Sequence, residues 1–188
     1  MKTAIIIPAR MASQRFPGKP MAKINGIPMI ERVWMQAINS KVGDVIVVCS
    51  ESEVFDLIIS KGGKAIMTDP NLPTGTDRVY EAFKLLKNNE EYKSIINLQG
   101  DMPLIDPLII RNVNIPIKNG YGIGTIATNI TNDEEKNENI TKVFVDWKKT
   151  NIIGNCIDFY KTSKNKLENV YQHVGIYSFD PNTLKKFV

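Results

Sequence analysis

The chain has 188 residues, 43% of them hydrophobic and 23% charged, with a formal net charge of +4 and a pI near 9.0. That is enough chain for one domain with a substantial core, too mildly basic to argue for nucleic acid, and without a run near the roughly 20 apolar residues of a membrane span. Cys49 and Cys156 lie far apart with no CxxC spacing, which disfavours metal binding and disulfides and predicts two buried, reduced thiols in a cytoplasmic protein.

In chain order, the short β-branched runs TAIII (3–7), VIVVC (45–49), KAIMT (64–68) and SIINLQ (94–99) read as buried parallel strands. Pro8 and Arg10 end the first run too soon for a signal peptide. Between these runs, Met29, Ile30, Val33, Trp34, Ala37 and Ile38 recur at helical spacing, as do Val79, Ala82, Phe83 and Leu86. Ser50 and Glu53 have capping-box spacing ahead of Val54, with Gly62-Gly63 ending that helix. Asp106-Pro107 predicts a capped helix start, and Pro116 a stop or kink. The βαβαβ pattern implies a mostly parallel sheet covered by helices on both faces.

After residue 120, GIGTIAT (122–128), TKVFVDW (141–147) and VGIYSF (174–179) read as strands, with TNDEEKNEN (131–139) as a solvated acidic loop. PNTLKKFV starts a helix of about two turns. We expect a single domain over 1–188, in which residues 1–120 form nucleotide-binding βα units. Residues 121–188 then form a small α+β extension.

The loop leaving the first strand carries Arg10, Arg15 and Lys19 within ten residues that contain no acid. Ligands in open α/β sheets bind beyond the carboxyl ends of the strands, where this loop sits. It is not a P-loop, since Pro20 follows Gly18-Lys19, and it has no GxGxxG. Guanidinium forks and an ammonium suit a polyphosphate; the alternative is a solvated surface cluster. Asp101, directly after the fourth strand run, offers a hard carboxylate for Mg²⁺, or else caps a turn. Gln99 falls two residues earlier, on the same face by alternation. Thr74-Gly75-Thr76 offers hydroxyls and backbone amides ahead of a helix over 76–87, for a base or phosphate, for helix capping, or for both. Tyr80 and Phe83 read as core or surface aromatics. His173 is the one histidine and, taken alone, reads as structural before catalytic.

PARMASQRFPGKPMAKINGIPMI (8–30) resembles the PARxxSxRxPGKPL signature of 3-deoxy-manno-octulosonate (KDO) cytidylyltransferases, the CMP-KDO synthetases. PTGTDR (73–78) is similar to their SGTxR, NLQGDMPLI (97–105) to their VQGDEPxI, and HVGIYSF (173–179) to their HxGIY, in the same order over nearly the whole chain. The resemblance implies a three-layer nucleotide-diphospho-sugar-transferase-like, Rossmann-like fold. It implies transfer of CMP from CTP to KDO, releasing pyrophosphate, for lipopolysaccharide synthesis in the cytoplasm, with Mg²⁺ as cofactor. It assigns Arg10, Arg15 and Lys19 to the triphosphate during catalysis. Pro8, Ala9, Arg10, Lys19, Thr74, Gly75, Thr76 and Arg78 would bind the nucleotide. Gln99, His173 and Tyr177 would contact the sugar acid, and Asp101 the metal. The partners implied are CTP and a 2-keto-3-deoxy sugar acid, with homodimer formation as in relatives and with neither nucleic acid nor membrane.

The sequence departs from the family pattern in three places. Met102 stands where a glutamate is usual. IIGNCIDFYKTSKNK (152–166) lacks the arginine of the family's SRxPIP segment, leaving Lys161 or Lys164 to supply charge. The sequence ends at Val188 without the family's VDTxEDL segment and its second metal-binding aspartate, so we expect a truncated family member. The alternatives are a CMP-sialic acid synthetase-like enzyme, whose loop usually reads GGSKR, and an inactive nucleotide-binding remnant.

Overall fold

The structure, a computed structural model, describes residues 1–12, 16–147, 152–162 and 169–188. Strand β1 (Thr3–Pro8) is followed by a small hairpin, β2 (Lys23–Ile24) and β3 (Ile27–Pro28), and by helix α1 (Met29–Ser40). Next come β4 (Asp44–Cys49), α2 (Ser52–Ser60), β5 (Lys64–Met67), α3 (Gly75–Leu85) and β6 (Ser94–Asn97). Short helices α4 (Pro107–Asn112) and α5 (Ile115–Lys118) lead to β7 (Ile123–Thr128), α6 (Asn132–Lys136), β8 (Lys142–Trp147) and β9 (Gly154–Tyr160). The chain closes with β10 (Val170–Phe179) and α7 (Pro181–Phe187).

Contacts divide the chain into two compact units, Met1–Gly124 with Ile176–Val188, and Thr125–Gly175. In the first, β5-β4-β1-β6 pair in parallel, and Tyr177–Phe179 of β10 add an antiparallel strand beside β6. Strand alternation sends Ala4 and Ile6 to one face, where Val79, Ala82 and Phe83 of α3 and Leu184 of α7 complete a buried cluster. Ile5 and Ile7, equally buried, face the other layer, where α1 and α2 pack against the sheet. Helices therefore cover both faces, as the continuous apolar strands require. In the second unit, β8 pairs antiparallel with β9 and with Val170–Gln172 of β10.

Several expectations are corrected. Ser50 does not cap α2; the N-cap is Glu51, with no side-chain cap bond. The strand predicted over 94–99 ends at Asn97, so alternation does not place Gln99 and Asp101. The acidic 131–139 stretch contains α6, because Thr131 and Glu134 form a capping box. Cys49 is buried, whereas Cys156 is exposed on β9, a strand the sequence reading passed over. The hairpin was also unforeseen, although Asn25-Gly26, at φ +50° and +79°, is the residue pair that such a tight turn selects. Asp106 does cap α4 through Leu108 N–H, and Pro116 opens a separate helical turn.

Candidate active site

β1 ends at Pro8, and Ala9 N–H still donates to Val48 O at 2.8 Å, so the chain leaves the sheet beside β4. Gly18, at φ +71°, then turns the loop back, a conformation glycine adopts without Cβ strain. Its N–H donates to Met11 O at 2.9 Å. A short 3₁₀ turn, Lys19–Met21, follows with Pro20 buried. The hairpin braces this turn from below, since Met29 N–H donates to Ala22 O and Arg32 donates twice to Ile24 O, at 2.9 and 2.6 Å. Lys19 is thus presented by a backbone fixed on both sides.

Opposite it, the chain leaves β6 through Leu98, Gln99 and Gly100. A Cβ on Gly100 would lie 2.7 Å from Pro8 O, so only glycine lets this segment press against the end of β1. That approach brings Asp101 into reach: Lys19 Nζ donates to Asp101 Oδ2 at 2.6 Å. Both side chains stay partly accessible, at 34% and 49%.

Beside this ion pair is a cleft of about 140 Å³ lined by Pro8, Ala9, Arg10, Leu72, Thr74, Gly75, Arg78 and Gln99. Thr74 caps α3, accepting from Asp77 N–H, while Asp77 Oδ2 accepts from Thr74 N–H at 3.0 Å. The cap sets the helix start, and its partial positive charge, at the cleft wall. Arg78 is 2% exposed. Its Nη1 donates to Thr68 Oγ1 at 2.6 Å, and its Nη2 is buried without a hydrogen-bond partner. Burial lowers the Arg78 pKa from its ordinary value, and Glu51 opposes that shift while nearby Arg10 reinforces it. A guanidinium still holds its proton under such a shift, so the cleft wall contains a buried cation with an unused donor.

Gln99 Nε2 donates to Asn97 Oδ1 at 2.9 Å, and Asn97 Nδ2 to Thr76 Oγ1 at 3.2 Å. Thr76 therefore supports the cleft through Asn97 and is not in its lining. Tyr177 pairs with Asn97 across β10 and β6 and stacks on Phe179, ring centroids 6.1 Å apart. Leu72, Thr68 and Asn97 were missed by the sequence reading; an asparagine inside the apolar run SIIN was the available signal. Arg15 lies outside the described residues, as does Lys164. Lys161 contributes its carbonyl, which accepts from Lys142 Nζ at 2.7 Å. His173 belongs to the second unit, where its Nε2 is 2.9 Å from Thr125 Oγ1, and burial lowers its pKa.

Among the described residues no three His, Cys, Asp or Glu side chains cluster as a metal site. A lone accessible carboxylate does suit Mg²⁺, which usually takes one or two carboxylates and completes its shell with water and substrate phosphates. Asp101 fits that role.

A family model described as cytidylyltransferase matches residues 4–188. The chain belongs to the cytidylyltransferase family. A 3-deoxy-manno-octulosonate cytidylyltransferase of Paramagnetospirillum magneticum is 42% identical over 98% of this chain and 76% of its own length. The enzyme of the same name from Parvibaculum lavamentivorans is 38% identical, over 98% and 72%. A solved CMP:2-keto-3-deoxy-manno-octonic acid synthetase, complexed with CTP, superposes with a TM-score of 0.88 at 30% identity, covering all of this chain and 77% of that one. A Leptospira borgpetersenii cytidylyltransferase shares the fold, with a TM-score of 0.62 at 20% identity. The three-layer nucleotidyltransferase fold expected from the sequence is therefore the one found.

Proposed function

We infer that this cytidylyltransferase transfers CMP from CTP to KDO, forming CMP-KDO and pyrophosphate for lipopolysaccharide synthesis. The observation that carries the reading is the 2.6 Å Lys19–Asp101 pair beside the arginine-lined cleft. Two segments 82 residues apart meet there as a cation and a hard carboxylate, which is what a metal-bound triphosphate requires.

In the reaction, the anomeric hydroxyl of KDO attacks the α-phosphorus of CTP. The new O–P bond forms as the bond to the pyrophosphate oxygen breaks, and the hydroxyl proton is lost. Arg10, Lys19 and the loop's Arg15 hold the triphosphate and offset the charge that gathers on pyrophosphate. The ammonium of Lys19 has three donors, so it can keep Asp101 and also bind phosphate oxygens. Pro8, Ala9, Thr74, Gly75 and Arg78 hold the nucleotide, with the start of α3 and the Nη2 donor of Arg78 contributing positive potential. Asp101 would hold Mg²⁺, which when bound supplies Lewis-acid polarisation of phosphate oxygens. Preorganised charge of this kind is the main source of rate in phosphoryl-type transfers.

We assign Gln99 and Tyr177 of the first unit to the sugar acid. Thr76 acts behind Gln99 through Asn97. The enzyme works in the cytoplasm, with its CTP supply, and as a homodimer. Among the described residues no helix is long and apolar enough to cross a membrane.

Pyrophosphate release, measured with CTP, Mg²⁺ and either KDO or sialic acid, tests the reading. Release with KDO alone supports it. Release only with sialic acid reassigns the sugar, and CTP binding without release under either condition overturns the catalytic assignment.

A further inference from the structure

Arg78 is 2% exposed, and a charged side chain is rarely buried so completely without a carboxylate partner. The acids near enough to act on its guanidinium electrostatically are Glu51 and Asp69. Neither forms a salt bridge with it among the described residues. Glu51 Oε2 accepts from Ser50 N–H at 3.3 Å, and Asp69 Oδ1 from Asn71 N–H at 2.8 Å, so each is engaged by the backbone of its own loop.

The hydrogen bond that the guanidinium does make goes to a neutral group. Arg78 Nη1 donates to Thr68 Oγ1 at 2.6 Å. A guanidinium has no acceptor, so the hydroxyl oxygen takes this bond wherever its own hydrogen is directed. Thr68 is itself fixed: it directly follows β5, is buried, and its N–H donates to Cys49 O at 2.9 Å. The guanidinium is planar and rigid, so an anchor on Nη1 at one end and the backbone of α3 at the other restrict where Nη2 can be. Nη2 is buried without a partner, and Arg78 lines the cleft. A carboxylate at position 68 would orient the guanidinium equally well and cancel its charge. A hydroxyl orients it and leaves the charge in place.

We propose that Thr68 is a positioning residue for the nucleotide: it anchors one nitrogen of Arg78 without neutralising it, and so keeps Nη2 and the positive charge for an acceptor oxygen of CTP. This rests on the assignment of Arg78 to the nucleotide made above. It adds to it a residue outside the cleft lining, and a reason why that residue is a neutral acceptor.

Thr68→Val keeps the shape and removes the acceptor. It should raise the Kd for CTP about three- to tenfold by calorimetric titration, the worth of one lost hydrogen bond, with the KM for KDO unchanged. Thr68→Ser should bind CTP as the wild type does. In an Arg78→Met background Thr68→Val should weaken CTP no further, because the group it acts through is gone. Thr68→Asp should bind CTP more weakly than Thr68→Asn, which differs from it in charge alone. In ¹⁵N-arginine spectra the Arg78 signals are those lost in Arg78→Met. Its Nη1 and Nη2 should be separate in the wild type, shift on addition of CTP, and merge in Thr68→Val as the group turns freely.

An equal loss of affinity in both backgrounds overturns the proposal, as does a Thr68→Val protein that binds CTP normally while Arg78→Met does not. Equal binding by the Asp and Asn variants overturns the reason given for a neutral acceptor. If Arg78→Met itself binds CTP normally, the nucleotide assignment of Arg78 fails first and the proposal with it. If Thr68→Val fails to fold, the wild-type spectrum decides. Merged Nη signals in the free protein overturn the anchor, and separate signals that CTP shifts uphold it.

Discussion

The two ends of the parallel sheet in the first unit are both polar, and they differ in whether their groups satisfy one another. At the end where β1, β4 and β6 begin, Ser94 Oγ donates to Asn114 Oδ1 at 2.6 Å and Asn114 Nδ2 to Thr3 Oγ1 at 3.2 Å, all three residues buried. Lys2 pairs with Glu91 at 2.5 Å and Lys64 with Asp44 at 2.7 Å, while Tyr92 donates to the other oxygen of Asp44 at 2.9 Å. Burial and Asp44 together push the Tyr92 pKa up to about 12, so it stays a donor. At the end where the strands finish, Arg10 and Arg78 lie close without an ion-pair partner among the described residues, and Arg78 Nη2 is buried without a bond. Polar groups that close on themselves are structural; the charge left over here, on Arg10, on Arg78 and in the spare donors of Lys19 beyond its bond to Asp101, marks where a ligand of opposite sign belongs.

The largest effect expected from this contrast is at Lys19. Lys19→Ala should lower kcat/KM on the order of 10²–10³-fold, as removal of a preorganised charge contact does. Its stability should change by less than about 1 kcal/mol, because the ion pair with Asp101 is partly exposed. Steady-state pyrophosphate release and a denaturant titration measure the two; a large stability loss with intact turnover would make this end structural after all.

Arg78→Met comes next. It should weaken CTP binding about tenfold or more by calorimetric titration, as expected when a charged hydrogen bond worth about 1.5–3 kcal/mol is lost. A buried charge exchanged for an apolar chain of similar length is often neutral for stability. Unchanged affinity with a destabilised fold would place Arg78 with the structural groups.

At the opposite end, Asn114→Ala should cost about 1–3 kcal/mol of stability, because it strands Ser94 and Thr3 in a buried site. Neither KM should change, and any shift in the KM for CTP would break the contrast. The smallest effect is acid sensitivity at Asp44. Hydrogen bonds from Lys64 and then Tyr92 hold its carboxyl below its ordinary value of 3.8. A depressed carboxylate pKa contributes stability that is complete above the unfolded value and is lost as pH falls through the folded one. Asp44→Asn should therefore match the wild type less well near neutral pH than in strong acid, with a difference below about 1 kcal/mol. Unfolding curves at pH 7 and below pH 4 measure it.

Much of the site was legible because it sits where regular elements end. Arg10 and Asp101 follow apolar runs whose direction is set by the βαβ pattern, and Thr74-Gly75-Thr76 precedes a strongly periodic helix. The residues that escaped act through others. Asn97 matters because it holds Gln99, and Thr68 because it takes one nitrogen of a buried arginine. β9 escaped for a related reason: Asn155 through Phe159 are exposed, so it lacks the buried face that announces a strand. Ser50 and Glu53 show the converse, a spacing that matches a capping box in a helix that begins one residue later.

Periodicity, apolar runs and turn chemistry by themselves determined the layers of the first unit, the direction of its strands and the loops that would bear charge. These are local properties, in which each residue's preference and its neighbours within a few positions suffice. That Lys19 would meet Asp101, and that Arg78 would be buried with one donor unused, was decided only when β1 and β6 became neighbours and Gly100 closed on Pro8. Contacts between residues far apart in the chain depend on packing distances of a few ångströms, which spacing along a sequence does not contain.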